Sequence, residues 1–137
     1  MIFLIQKYIT MTKTANSPVQ TTRQIAARFN ELAQQEKWFE IQDEFFADNV
    51  KSIEPDYSPY FKNAEGKTIV RKKGEDWVAK VEGVNKLSTT DPIVTGNHFA
   101  VGRLMDITVK GFGNVKIDQI MLYEVKDGKI VSEQFFY

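Results

Sequence analysis

Three charged side chains stand where the local pattern predicts strands with an apolar face, and these are the first candidates for chemistry. Glu54 ends a short predicted strand, directly before Pro55. A carboxylate buried among apolar groups can act as a general acid or base, whereas the same residue at a strand end can equally face water. Glu133 and Arg103 each alternate with apolar residues along later strands. Such residues are either paired in the interior or exposed at an edge, and the pattern leaves both readings open.

Uncharged side chains could complete a binding pocket around these groups. Gln119, Met121 and Tyr123 share a predicted strand face, and all three are candidates for the pocket lining. Of these, Gln119 could hydrogen-bond a ligand. Large aromatic side chains could form the walls of the pocket or simply pack in the core, and Tyr57 could cover it as part of a loop. The aromatic candidates are Phe29, Trp38, Tyr57, Tyr60, Trp77, Phe135 and Tyr137.

Composition excludes several classes of function. The 137 residues contain 18 Lys and Arg against 18 Asp and Glu, so the net charge is zero. That balance argues against nucleic acid and against attachment to an anionic membrane. The absence of cysteine excludes disulfides and thiolate chemistry and is compatible with the cytoplasmic location that we expect. A single histidine excludes a zinc site built from several imidazoles, and no motif for a metal or other cofactor is present.

The first half of the chain predicts three helices and one short strand. Ser17, Pro18 and Gln20 have the residue types of a helix start with a capping box. A second helix should begin near Trp38 and end in a turn at 47–49, before a strand over 50–54. Two prolines predict a loop over 55–66, and a third helix should cover 67–84. Its apolar stripe would include Val70, Trp77, Val81 and Val84, and its wet face Lys72, Lys73, Asp76 and Lys80.

The second half has the period of two that is typical of strands. A weak strand is predicted over 87–95, interrupted by Pro92, and longer ones follow over 99–109, 115–125 and 130–137. Asp127-Gly128 is a strong hairpin signal. Helices followed by a meander predict an α+β domain over 17–137, with the helices packed on one face of a curved, mostly antiparallel sheet. Residues 1–16 are expected to form a mis-assigned start or a loose arm, or else an arm that packs on a partner subunit.

Three segments resemble the SnoaL-like domains of the nuclear transport factor 2 superfamily. They are FFADNVKSIEP (45–55), GNHFAVG (96–102) and YEVKDGKIVSEQFFY (123–137), and the order of elements also matches over 17–137. The resemblance implies a cone-shaped α+β fold with a deep, largely hydrophobic pocket for a small hydrophobic or amphipathic molecule. It also implies a homodimer in many members.

The same resemblance points to an alternative enzymatic function. In the related ketosteroid isomerases an acidic residue before the proline is the proton-transfer base, and Glu54 stands at that position. The isomerases also use two hydrogen-bond donors, whose places here resemble Phe29 and Met121, neither of which can donate. The polyketide cyclases of the group likewise use an acidic residue in the pocket. A protein-interaction module, as in the transport factor itself, is a further alternative.

The last strands also predict self-association. Apolar residues occur on both faces of these strands. On the last strand, alternation puts Val131, Phe135 and Tyr137 on one face, and Ile130 and Phe136 on the other. The helices can cover only one of the two faces. A half-solvated antiparallel sheet normally has one polar face. We therefore expect a two-fold homodimer packed sheet to sheet, with Leu104, Ile120, Leu122 and Phe136 near its centre.

Overall fold

The computed structural model describes residues 19–137, so the predicted arm over 1–16, together with Ser17 and Pro18, lies outside the described residues. Within this range the chain forms three helices and seven strands. In chain order they are α1 (Thr22–Gln34), α2 (Trp38–Phe45), β1 (Phe46–Ile53), β2 (Ala64–Glu65), α3 (Lys67–Lys80), β3 (Val81–Thr89), β4 (Ile93–Thr95), β5 (His98–Val109), β6 (Gly113–Lys126) and β7 (Lys129–Phe136).

Helix α1 begins later than its sequence signal suggested. Its capping box is made by Thr21 and Gln24: the Thr21 hydroxyl accepts from the backbone N–H of Gln24 at 3.2 Å, and the Gln24 side chain accepts from the backbone N–H of Thr21 at 2.9 Å. Gln20, predicted to complete the box, precedes the helix instead. The reason is that Thr21-x-x-Gln24 supplies the same pair of residue types directly ahead of the buried stripe that begins at Ile25.

Two predicted boundaries were wrong because a helix passes straight into a strand. The turn expected at 47–49 is part of β1, which begins directly after α2 and has an irregular register between Phe46 and Lys51. Likewise α3 ends at Lys80 rather than at 84, and Val81 and Val84 belong to β3, where they pair with β5. The three-residue spacing of Val78, Val81 and Val84 is that of a helical stripe, so the local pattern favoured a longer helix. Pairing with β5, in an irregular register at this end, decides for a strand.

The strands form one curved, mostly antiparallel sheet in the order β2-β1-β7-β6-β5-β3, with β4 paired to part of β5. Among the strands of residues 19–137 only the β1–β7 pairing is parallel, and it places Ser52 opposite Glu133. The three helices lie against one face of this sheet. The predicted α+β architecture is therefore confirmed.

A β-bulge in β7 changes which residues face the core. Glu124 pairs with Ser132 and Val125 with Ile130, so Val131 is the extra residue between them. The expected alternation put Ile130 on the outer face with Phe136, which is wrong: Ile130 is completely buried in the core. The bulge restores a common inward face for Ile130 and Glu133, because an extra residue shifts the alternation by one.

The inward face of the sheet carries two separate apolar clusters. The larger one joins α1, α2 and the ends of β5 and β6 nearest to them, including Phe29, Phe99 and Tyr123. The smaller one contains Ile107 and Ile117, with loop and α3 side chains packed against it. On β5 and β6 the two clusters are separated by the polar pair Arg103 and Gln119, which are opposite each other in the strand register.

No helix within residues 19–137 is long and apolar enough to cross a membrane.

Candidate functional site

Glu54 lies just beyond β1 and points into the protein. It is 6% exposed, and its backbone N–H donates to the Asn63 side chain at 2.7 Å. Both of its carboxylate oxygens accept hydrogen bonds: Oε1 from the Tyr137 hydroxyl at 2.9 Å and Oε2 from the Lys73 ammonium at 2.6 Å. Glu54 is therefore buried and does not face water as a strand-end carboxylate.

Tyr137 connects Glu54 to the loop that follows β1. The Ser58 hydroxyl accepts from the backbone N–H groups of Tyr60 and Phe61, each at 3.2 Å, and lies 2.5 Å from the Tyr137 hydroxyl. With two donors already on its oxygen, Ser58 gives its proton to Tyr137, and Tyr137 gives its own to Glu54. Burial, reinforced by Glu54, raises the pKa of Tyr137. The phenol thus stays protonated and remains a donor.

Lys73 connects Glu54 to a second buried carboxyl group. Its ammonium donates to the Ser52 hydroxyl at 2.9 Å, and Ser52 donates to Glu133 Oε1 at 2.8 Å. The side chains of Lys73 and Glu54 are only 17% and 4% exposed, so this is a buried ion pair. The ammonium also lies over the rings of Phe61 and Phe135, at 5.6 and 5.4 Å from their centres.

Glu133 titrates close to neutrality. Burial raises the pKa of its carboxyl from 4.5 to about 7, the Ser52 hydrogen bond and the charge of Lys73 lower it, and the charge of Glu54 raises it. A single ammonium therefore serves two carboxyl groups. Near pH 7 Glu133 gains or loses its proton readily, whereas Glu54 holds the direct ion pair with Lys73.

Arg103 forms a second polar centre further along the sheet. Its guanidinium donates to both carboxylate oxygens of Glu36, at 2.7 and 3.1 Å, and to the Thr89 hydroxyl at 3.0 Å. It also stacks on the ring of Trp38 at 4.5 Å, and the Trp38 indole N–H donates to Glu36 at 2.9 Å. Glu36 follows α1 with a positive φ of 58°, so the helix end turns its carboxylate toward the sheet. Of the two alternatives for Arg103, pairing in the interior or exposure at an edge, the structure has the first.

Gln119 lies beside this centre on the inward face. It is buried, and no side-chain hydrogen bond joins it to another residue of 19–137. Among residues 19–137 its amide thus has no side-chain partner, and it lies opposite Arg103 in the strand register. Next to it, Met105, Phe135 and Tyr137 remain partly exposed.

Several predicted pocket residues are buried in the closed core. Phe29 is fully buried, in edge contacts with Trp38, Phe99 and Tyr123 at ring distances of 4.8–5.7 Å. Met121 and Tyr123 are buried in the same cluster, and burial together with the charge of Glu133 raises the pKa of Tyr123. The structure thus brings Glu54, Glu133, Phe135 and Tyr137 together on one side of the sheet.

Tyr60, Phe61 and Trp77 pack against the smaller apolar cluster, and Tyr57 lies outside it. Tyr57 is largely exposed, and its hydroxyl donates to the backbone carbonyl of Tyr137. Tyr60 and Phe61 pack against Trp77, with ring centres 6.0 and 4.4 Å from it.

The sequence interpretation missed Lys73, which it placed on the wet face of the third helix. A usable signal existed, because Lys73 is three residues after Val70 and four before Trp77 and so falls on the same helical stripe. It missed Glu36, Ser52 and Ser58 for a different reason. Their roles depend on partners that are distant in the chain, such as Arg103 and Glu133.

The arrangement can hold and move protons but has no evident place for a metal ion. Within residues 19–137 no three His, Cys, Asp or Glu side chains are grouped to ligate one. The hydrogen bonds run from Ser58 through Tyr137 to Glu54, and from Lys73 both to Glu54 and through Ser52 to Glu133. A phenol, an ammonium and two carboxyl groups are thus connected in one chain.

Comparison with solved structures identifies the fold. A protein from Mesorhizobium loti, described as a candidate SnoaL-like polyketide cyclase, is 34% identical, with a TM-score of 0.80 over 86% of this chain and all of that one. A nuclear transport factor 2-like protein of unknown function from Burkholderia pseudomallei is 15% identical, with a TM-score of 0.66 over 86% of this chain and 92% of that one. TerC, co-crystallised with polyporic acid, is 12% identical, with a TM-score of 0.63 over 85% and 90% of the two chains.

No match is found among curated protein sequences. The family model described as a SnoaL-like domain matches residues 20–137. That range includes every strand and helix of the structure, and it contains both polar centres. With this match and the relative from Mesorhizobium loti, the chain belongs to the SnoaL-like domain family, which is related to polyketide cyclases and isomerases.

Proposed function

We propose that this chain binds a small hydrophobic or amphipathic molecule in the cleft between its helices and the inward face of the sheet. The observation that carries the proposal is the partial exposure of Met105, Phe135 and Tyr137 on a face that is otherwise buried. Apolar side chains left partly uncovered beside a few polar groups are the usual composition of a ligand site. TerC, a structural neighbour, was co-crystallised with polyporic acid, a compound of this general kind.

The polar groups would orient the ligand within the cleft. Gln119 offers an amide, and the Tyr137 hydroxyl lies on the Glu54 side. Arg103 is already paired with Glu36 and Thr89, so we assign it the role of shaping the wall and keeping Trp38 in place. A ligand with one carbonyl or hydroxyl group on an apolar body fits this distribution.

Isothermal titration calorimetry with polyporic acid and with 2-tetralone tests the proposal. We expect at least one of them to bind, and Met105→Lys to abolish binding by placing a charge in the cleft. Thr108→Lys, on the outward face of the same strand, is the matched control and should bind normally. Absence of binding by both compounds at about 100 μM, which is the weak end of specific affinities, would count against the proposal.

A second candidate function is proton transfer next to a carbonyl group, with Glu54 as general base. It is favoured by one observation: a donor, the Tyr137 hydroxyl, is 2.9 Å from the carboxylate that would accept the proton. Glu54 would take a hydrogen from the carbon beside the carbonyl, and the electron pair would move onto the carbonyl oxygen. The Tyr137 hydroxyl would turn to that oxygen, and the proton would return from Glu54 to carbon.

Deuterium exchange into 2-tetralone in D2O, followed by proton NMR, measures this step directly. Glu54→Gln should abolish enzyme-dependent exchange, whereas Glu65→Gln, an exposed carboxylate on the adjacent strand, should leave it unchanged. Exchange that is the same with and without the protein would exclude proton transfer for this ketone while leaving ligand binding intact.

We also infer that two copies pack sheet to sheet. Ile120 and Phe136 are opposite each other on the outer face, and they are 55% and 47% exposed. Leu104 and Leu122 lie on the same face and are partly buried. A specific interface of this kind should bury more than about 1,000 Å² in total. If the chain is instead a monomer, the same patch favours an interaction with a different protein.

A further inference from the structure

A pocket lies between α3 and the loop that follows β1. It has a volume of about 320 Å³, in the range of small-molecule sites. The loop after β1 forms one wall and α3 the other. Its lining includes Tyr60, Phe61, Lys62, Lys73, Trp77 and Lys80.

The lining of the pocket is positively charged, although the whole chain is neutral. Four of the lining residues are lysines and one is an aspartate. Asp76 is engaged by Lys72 at 3.2 Å, and Lys73 by Glu54. Within residues 19–137, Lys62 and Lys80 form no ion pair, so two ammonium groups at the rim have no anionic partner. An anion is the ligand that such a rim attracts.

The walls of the pocket are aromatic. Phe61 and Trp77 are tilted against each other with ring centres 4.4 Å apart, and Tyr60 lies 6.0 Å from Trp77. All three remain partly exposed. Partly exposed rings offer their faces and edges to another planar group, which gains from aromatic contact beyond the area that it buries. Few other side chains in the lining offer acceptors, so the pocket favours a flat apolar body over a sugar.

From these two properties we propose that the pocket formed by α3 and the loop at 60–64 is a binding site for a planar aromatic carboxylate. The ring system would lie against Trp77 and Phe61, and the carboxylate would be held by Lys62 and Lys80 at the rim. The site is additional to the cleft of the proposed function and does not depend on it.

The two sites share one residue. Lys73 lines this pocket and also holds Glu54 on the cleft side. A carboxylate that reached Lys73 would compete with Glu54 for the same ammonium. Occupation of the pocket would in that case loosen the buried ion pair.

Two-dimensional NMR with 2-naphthoate and the neutral 2-naphthamide tests the site. The chain has two tryptophans, so two indole N–H signals report separately. Trp77 lines the pocket, whereas Trp38 stacks on Arg103. The two signals are assigned with Trp77→Phe and Trp38→Phe. We expect 2-naphthoate to shift the Trp77 signal in a saturable way and the amide to bind at least about fivefold more weakly, because each rim ion pair contributes modestly.

Paired variants with the same change in charge make the test specific. Lys62→Gln with Lys80→Gln should weaken 2-naphthoate about fivefold to tenfold, by the loss of two exposed ion pairs. Lys86→Gln with Lys116→Gln, at exposed positions outside the pocket, should not weaken it. Equal affinities for acid and amide, or equal effects of the two double variants, would overturn the proposal.

The pattern of shifts separates this proposal from the proposed function. If 2-naphthoate moves the Trp38 signal and leaves that of Trp77 unchanged, the compound binds in the cleft, which supports the proposed function and overturns the second site. If neither signal moves, the second site is excluded, and the calorimetry with polyporic acid and 2-tetralone still decides the first.

Discussion

Replacement of Lys73 by methionine should lower the free energy of unfolding of the protein substantially. Methionine is close to lysine in length and fills the same space against Phe61 and Phe135, so packing changes little. What changes is that the Glu54 carboxylate loses its counter-ion while its side chain remains 4% exposed. Glu133 lies in the same network and adds a like charge. An uncompensated buried charge is one of the most destabilising single changes known.

The expected loss follows from the burial of the pair. Breaking a buried pair by removing one partner typically costs about 3–5 kcal/mol. For a chain of 137 residues this corresponds to a fall in Tm of about 10–17 °C, from the usual unfolding entropy per residue. Glu54→Gln should cost less, because a buried ammonium at 17% exposure reaches water more easily than the carboxylate does.

The double variant, Lys73→Met with Glu54→Gln, separates the buried charge from other effects. Tyr137 can still donate to the carbonyl oxygen of glutamine, so no buried acceptor is left without a partner. We expect the double variant to recover to within about 2 kcal/mol of the unchanged protein, since a neutral replacement of both partners is often well tolerated. Urea unfolding, followed by tryptophan fluorescence at a fixed protein concentration, measures all four corners of the cycle.

Two results would refute this reasoning. The first is a loss below about 1 kcal/mol for Lys73→Met, which is what an exposed surface pair would give. The second is strict additivity of the two single changes, because residues in direct contact should couple by about 0.5–3 kcal/mol.

Three further predictions concern other parts of the molecule. The pKa of Glu133 is about 7 in the folded chain, whereas the ordinary value is 4.5. The stability that the bound proton contributes is therefore fully present below pH 4.5 and is lost as the pH rises to about 7. The side chain of the Glu133→Gln variant cannot lose a proton. The free energy of unfolding of this variant, relative to that of the unchanged protein, should therefore rise by about 3 kcal/mol between about pH 4.5 and 7.5 in urea unfolding. A difference that does not vary with pH would contradict this. Gly128→Ala should destabilise the protein more than Gly96→Ala. Both glycines have positive φ, but a Cβ at 128 would lie 2.7 Å from Val19, whereas a Cβ at 96 would meet nothing within 4 Å. Equal melting temperatures of the two variants would contradict this. Phe136→Lys should convert the expected dimer to a monomer, because it places a charge in an apolar interface. Sedimentation velocity at tens of micromolar measures this, and an unchanged protein that is already monomeric would exclude the dimer.

The long elements could be predicted from the sequence because their signals are local. The hairpin at Asp127-Gly128 is an example: both residues have positive φ, 51° and 75°, which is the conformation that this residue pair favours. The alternation along β5 and β6 correctly placed Arg103 and Gln119 on the same inward face as the core residues. Ile130 was placed on the wrong face because a bulge is a property of strand pairing, and a single strand carries no mark of where its partner skips a residue.

The individual site residues were visible in the sequence, but their partners were not. Glu54, Glu133 and Arg103 stood out by residue type and strand position, since a charged group on an apolar face needs a partner. Tyr137 was a candidate only as an aromatic side chain. Which partner each one has was decided only by the tertiary structure: the curved sheet and α3 bring Lys73 against Glu54, 19 residues away along the chain. The sequence determined which groups are costly to bury, and the packing of distant elements decided how each of them is compensated.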